Sequence, residues 1–329
     1  MRFATWQADG RVRAGVVGTL ADGTAGLHEL PARTTVLDLV RAGLPAALEA
    51  AAEALRGPAV PVGSVRLLPP LEAPTVRDFV AFEEHVEGVR RAVDGQAGVV
   101  EEWYQAPTFY FTNPHALVGA HDDVPVPPGS RLFDFECEVA VVVGRDGASL
   151  TPETARDAIF GYTVLNDWSA RDLQRREMKV NLGPAKGKDS ATTLGPWLVT
   201  ADELAGAHDV DGFLDLACAV EVNGVEVGRD RLSAMGWTFA TMVAYASRDS
   251  LVVPGDVLAS GTTGGGGCLA ELWGRTGRQE PPPLQPGDVV TLTVERLGAL
   301  TNPVAGGGPW PPLTPFRPAR AATPTEGRP

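Results

Sequence analysis

Acidic residues interrupt Phe133-Asp-Phe-Glu-Cys-Glu-Val-Ala-Val-Val-Val143, a run that otherwise has the make-up of a buried strand. Period-two geometry puts Glu136 and Glu138 on one face about 7 Å apart at Cα, with Cys137 turned the other way. Asp167 has a similar setting, at the end of Gly161-Tyr-Thr-Val-Leu165 and just before Ser169-Ala-Arg-Asp172. Three ionised carboxylates meeting at about 5 Å would repel by roughly 3 kcal/mol per pair at an effective dielectric of about 20. Such a cluster needs protons or a cation. Oxygen donors without His or Cys favour Mg²⁺, Mn²⁺ or Ca²⁺ over zinc.

Lysine usage is the second signal. Twenty-five arginines are spread along the chain, whereas the only lysines are Lys179, Lys186 and Lys188. A compact ammonium with a tunable pKa differs from a flat guanidinium, so one or two of these lysines are expected to be functional.

These side chains need elements to carry them. Ser169 and Asp172 have capping-box spacing, which predicts a helix over 170–179. Arg171, Gln174 and Met178 share one face of it, so Arg171 and Gln174 can point toward Asp167, while Arg175 and Arg176 fall on the surface. Strands are expected over 2–6, 13–18, 138–143, 161–165, 216–222, 257–260 and 289–294, with a hairpin at Asn223-Gly224. A single Ala/Leu-rich helix is expected over 36–55. The proline-rich stretch 67–74 marks a boundary. The expected organisation is a small N-terminal domain over 1–70, a catalytic domain over 71–304 and a Gly/Pro-rich tail over 305–329.

The chain has 329 residues, 44% apolar and 21% charged, with 38 glycines and 28 prolines. That composition supports a sizeable core and many turns, hence a β-rich α+β fold. A net charge of −13 argues against nucleic-acid and anionic-membrane partners. Cys137, Cys218 and Cys268 show no CxxC spacing, which speaks against a disulfide framework or a structural zinc site. No stretch approaches 18 uninterrupted apolar residues, and a cytoplasmic location is expected. The phosphate-loop-like Gly183-Pro-Ala-Lys-Gly-Lys-Asp189 is one residue short and has Asp where Ser or Thr is required.

Five motifs then give the chain a resemblance to the fumarylacetoacetate hydrolase (FAH) family: Asp134-Phe-Glu-Cys-Glu-Val-Ala140, Gly161-Tyr-Thr-Val-Leu-Asn-Asp-Trp-Ser-Ala-Arg-Asp-Leu-Gln174, Gly187-Lys188, Leu194-Gly-Pro-Trp197 and Ala259-Ser-Gly-Thr262. The resemblance covers about residues 78–297. It implies a mixed β-sandwich roll, a homodimer, a divalent cation (Mg²⁺ first, Ca²⁺ or Mn²⁺ as alternatives) and cleavage of a carbon–carbon bond between two carbonyls. It implies metal ligation by Asp78, Glu136, Glu138 and Asp167, a general base at His85 and an orienting acid at Glu271. Lys188, Arg171 and Gln174 would polarise the attacked carbonyl, Thr262 would contact substrate, and Thr192 would sit beside the metal. Val80 and Met178 stand at substrate-contacting positions where the name-giving enzyme has tyrosines. Losing those phenols points away from fumarylacetoacetate and toward a less polar acylpyruvate or β-diketone. Decarboxylation or tautomerisation of a 2-oxo dicarboxylic acid on the same site is the alternative, and a silent metal-binding protein is a third reading. The segment 95–111 is expected to cover part of the site.

Overall fold

A computed structural model describes residues 1–317, and the end of the expected tail, 318–329, lies outside the described residues. The strand Cys137–Val143 is wholly buried, as a β-branched run in mid-sheet must be. It pairs antiparallel with Ile159–Asp167 on one side and with Val257–Ala259 on the other. Among the described residues this ladder extends to a twelve-stranded sheet. Thr192–Thr200 follows beyond Ile159–Asp167, and then Arg2–Ala8. In the other direction Val76–Phe79 adds parallel to Val257–Ala259, and Phe109–Thr112 closes the edge. The sheet is therefore mixed, and strands of the first 68 residues continue it.

Alternation along Cys137–Val143 sorts its side chains into two cores. Cys137, Val139, Val141 and Val143 join one with Phe239, Met242 and the strands Ala217–Val222 and Val289–Val294, which belong to a second, five-stranded sheet. Ala140 and Val142 join the other, with Phe3, Val16, Leu39 and Phe160 from elsewhere in the chain. The even-numbered face begins with Glu136 and Glu138, so the carboxylates enter where this second core stops.

The expected hairpin is present: Ala217–Val222 pairs with Val225–Arg231 across Asn223 and Gly224, both at positive φ. Two expectations change. The helix over 36–55 is two helices, Val36–Ala42 and Leu44–Ala54, because Gly43 at φ 88° ends one and begins the other with Pro45 behind it. The helix expected over 170–179 is Arg171–Met178, and Ser169 does not cap it. Ser169 instead donates to the Asp167 carbonyl, and Asp172 accepts from Ser130 Oγ and the Arg131 amide. Residues 306–317 carry no regular structure. No helix among the described residues is long and apolar enough to cross a membrane.

Candidate metal and catalytic centre

Strand register builds the cluster. Ala259 opposes Asp78, Asp78 opposes Tyr110, and Asp167 opposes Thr192. Glu136 is drawn in by the Asn166 side chain, which accepts its amide at 2.9 Å. Asp78, Glu136 and Asp167 each bring a carboxylate oxygen within 4.8 Å of the other two. Glu138 reaches the same space, where it accepts from Thr262 Oγ1 at 3.4 Å and has Asp78, Glu136 and Asp167 as charged neighbours. All four carboxylates are buried.

Two cations answer them. Lys188 Nζ lies 2.6 Å from both Glu136 Oε2 and Asp167 Oδ2. Arg171 pairs with Asp134 at 2.8 Å and with Glu136 at 2.7 Å. Although burial acts against it, these cations hold the Glu136 carboxyl below its ordinary range. Asp78 and Glu138 go the other way, raised well above their ordinary values by burial and by neighbouring carboxylates. Asp167 is raised too, chiefly by burial.

The buried oxygens Asp78 Oδ1, Glu138 Oε2 and Asp167 Oδ1 have no hydrogen-bond partner. Stranded carboxylate oxygens are costly to bury. This all-oxygen donor set with excess negative charge fits a hard divalent cation, which Asp78, Glu136 and Asp167, with Glu138 beside them, could hold. Thr192, buried beside Asp167 with an unpartnered hydroxyl, borders that place.

Lys188 is delivered by a loop that the helix Arg171–Met178 fastens. Glu177 accepts from the amides of Ala185 at 2.7 Å and Gly187 at 2.9 Å. A Cβ on Gly187 would lie 2.6 Å from the Gln174 backbone, so only glycine permits this approach. Gln174 accepts from Arg171 at 3.2 Å. Lys186, by contrast, pairs with Asp189 at the surface, and Lys179 is exposed.

His85 and Glu271 come from two crossing helices, Glu83–Asp94 and Leu269–Thr276. Both side chains are buried, with Nδ1 3.9 Å from Oε2, too long for a direct hydrogen bond. The other Glu271 oxygen accepts from the Gly266 amide at 3.0 Å and from Arg275 at 3.2 Å. Burial lowers the imidazole to about 4 and raises the Glu271 carboxyl to about 7. His85 is therefore neutral near pH 7 and can accept a proton.

Two residues expected to contact substrate are not buried with the cluster. Met178 is 46% exposed at the last helical turn. Val80 is half-buried, and its carbonyl accepts from Trp103 Nε1 at 2.6 Å. A cavity of about 290 Å³, lined by Tyr110, Thr112, Asn113, Pro184, Lys188 and Asp189 among others, leads to the lysine. A larger one of about 420 Å³, bordered by Arg156, Tyr162 and His208, contains none of the converged residues.

Sequence reasoning missed Tyr110 and Asp134. Tyr110 belongs to the segment expected to cover the site, and its hydroxyl bridges Asp78, at 2.9 Å, and Asp167. Its only sequence signal was a phenol amid the phenylalanines of Phe109-Tyr-Phe111. Asp134 binds Arg171 and accepts from the Leu269 and Ala270 amides at the start of the second helix. Its i, i+2, i+4 spacing with Glu136 and Glu138 was the clue.

A family model described as "Fumarylacetoacetate (FAA) hydrolase C-terminal" matches residues 75–305. The mitochondrial oxaloacetate tautomerase of Xenopus laevis is 35% identical over 189 residues, 57% of this chain and 55% of that protein, so the chain spans little more than half the relative's length. The structure of a fumarylacetoacetate hydrolase from Exiguobacterium antarcticum is similar with a TM-score of 0.70 and 27% identity, covering 93% of this chain and 100% of that one. A maleylpyruvate hydrolase from Sphingobium sp. SYK-6, solved with manganese(II) and pyruvate, shares the fold at a TM-score of 0.67 and 23% identity, over 94% of this chain and 100% of that one.

Proposed function

The chain belongs to the fumarylacetoacetate hydrolase family, and from that membership we propose that it is a divalent-metal-dependent hydrolase cleaving a carbon–carbon bond in an acylpyruvate or related 1,3-dicarbonyl. The observation carrying this reading is a neutral, buried imidazole, His85, within 4.8 Å of Glu136 at the edge of four converged carboxylates.

Asp78, Glu136, Glu138 and Asp167 would hold Mg²⁺, or Mn²⁺ or Ca²⁺ in its place, which when bound would supply a Lewis acid for the dicarbonyl oxygens. His85 removes a proton from the water that attacks the second carbonyl, and Glu271 orients the imidazole and steadies its positive charge. Lys188 and Arg171 offer charged donors to the oxyanion, with Gln174 fixing the guanidinium. Lys188 gives a proton to the departing carbon and regains one from solvent, to which His85 releases the proton it took from water. Thr262 and Thr192 border substrate and metal, while Val80 and Met178 give the entrance an apolar character suited to an acyl chain.

Loss of enol absorbance tests the reading, measured on a panel of acylpyruvates with each cation or with chelator present. Turnover to pyruvate and a free acid, abolished by chelator and by His85→Ala, is the expected result. Unchanged turnover of His85→Ala would remove the imidazole from the mechanism.

A second reading, tautomerisation of oxaloacetate, is favoured by the name of the 35% identical relative. It is also favoured by Tyr110 and Lys188, two proton carriers bonded to the same carboxylate, Asp167. Enol-to-keto conversion of oxaloacetate without bond cleavage, and no acid from any acylpyruvate, would select it. Either reading takes the protein as a cytoplasmic homodimer, which light scattering and cell fractionation test.

A further inference from the structure

Cys268 is used by neither reading, yet the fold carries it to the base. Its Sγ lies 3.7 Å from His85 Nδ1, and a Glu136 oxygen completes a set whose members are all within 4.8 Å of one another. All three residues are buried. We propose that His85, Cys268 and Glu136 form a second metal site, for a borderline ion such as Zn²⁺, which disables the base when filled.

Donor chemistry supports this assignment. Zn²⁺ takes nitrogen at about 2.0–2.1 Å and thiolate at about 2.3 Å, so adjacent ligands on a tetrahedral ion stand about 3.6 Å apart. The imidazole and sulfur already have that spacing. Binding forms a Zn–S bond, and the thiol proton leaves to solvent. The ion replaces one thiol proton, so the buried site gains a single positive charge, set beside carboxylates that outnumber their two cations, Lys188 and Arg171. Cys268 also caps the helix Leu269–Thr276 by accepting the Glu271 amide at 3.4 Å, which holds the sulfur in place. Of the three cysteines, Cys268 is the one whose sulfur is grouped with the imidazole among the described residues, and Cys218 belongs to the second sheet.

Glu136 serves both sites. Where the carboxylate cluster holds a hard cation, a point that rests on the proposed function, the two ions exclude each other. Scarce Mg²⁺ or abundant zinc would switch the enzyme off.

The test uses Co²⁺ as a spectroscopic substitute for zinc, added to the full chain after dialysis against chelator. A stoichiometric thiolate-to-cobalt charge-transfer band is expected, lost in Cys268→Ser and retained in Cys218→Ser. Serine keeps the helix cap, and His85→Ala, which leaves the cap untouched, should weaken the same band if the serine variant misfolds. Absence of the band in the natural chain, or its survival in Cys268→Ser, overturns the site. Mg²⁺ at ten times its own Kd should weaken apparent cobalt affinity about elevenfold. A band indifferent to Mg²⁺ would overturn the mutual exclusion and the sharing of Glu136 on which it rests.

Discussion

His85 and Glu271 illustrate how burial divides labour between two neighbouring groups. Burial disfavours charge on both, so the imidazole falls to about 4 and the carboxyl rises to about 7. As pH drops through about 7, Glu271 takes a proton and ceases to steady the imidazolium. We therefore expect kcat/KM to fall there, and Glu271→Gln to lose that limb, retaining only a fall near 4 at a lower plateau. Stability follows the same signs. The raised Glu271 carboxyl contributes stability in acid that is lost as pH rises from about 4.5 through 7. The depressed His85 removes stability as pH falls from about 6.5 toward 4. Thermal midpoints of Glu271→Gln against pH should show a weaker decline on the alkaline side. Lys188 sets a different cost, because removing it leaves Glu136 and Asp167 buried without their shared ammonium. Lys188→Met should abolish turnover and destabilise the metal-free protein by about 3–5 kcal/mol in urea unfolding.

At the scale of elements, the meeting of base and acid depends on how closely two helices cross. A Cβ on Gly88 would stand 2.6 Å from Glu271 Cγ, and one on Gly274 would stand 1.9 Å from the Gly88 carbonyl oxygen. Both glycines are thus required by contact between Glu83–Asp94 and Leu269–Thr276, at some cost in helix propensity. Gly274→Ala forces the helices apart, and overpacking of this kind costs about 1–3 kcal/mol. Its kcat should drop while metal affinity stays near that of the natural chain, since all four carboxylates lie on other elements. Equal losses in kcat and metal affinity would mean that the crossing supports the whole site rather than the dyad. The edge strand Phe109–Thr112 matters in a similar way: pairing with Val76–Phe79 is what brings Tyr110 opposite Asp78.

Across the whole molecule, an acidic chain encloses a still more acidic centre. With a net charge of −13 and four carboxylates in one buried space, the metal-free fold carries repulsion that a divalent cation relieves. A cation at a hundred times its Kd stabilises the folded state by about 2.7 kcal/mol. Thermal melts with Mg²⁺ or Mn²⁺ should run above those in chelator, and Glu138→Gln should shrink the increment while raising the melting point of the metal-free form. No increment with any of the hard cations would contradict the assignment of the cluster.

Local chemistry was enough to expose much of this protein. Alternation over residues 133–143 announced a buried strand with two carboxylates on one face, because side-chain direction in a strand is fixed by parity alone. The Asn223-Gly224 hairpin and the odd clustering of lysines were legible for equally local reasons. Motif resemblance added the dyad and Asp78, residues that spacing could not connect. Other features required the folded chain. Gly43 divides a helix that composition left whole, and Ser169 gives its cap away by donating to the Asp167 carbonyl. Tyr110, Asp134 and Cys268 acquire their places only through contacts between segments 32 to 183 residues apart. Such contacts are set by strand register and helix crossing, which are properties of packing and leave no trace in the spacing of residues along the chain.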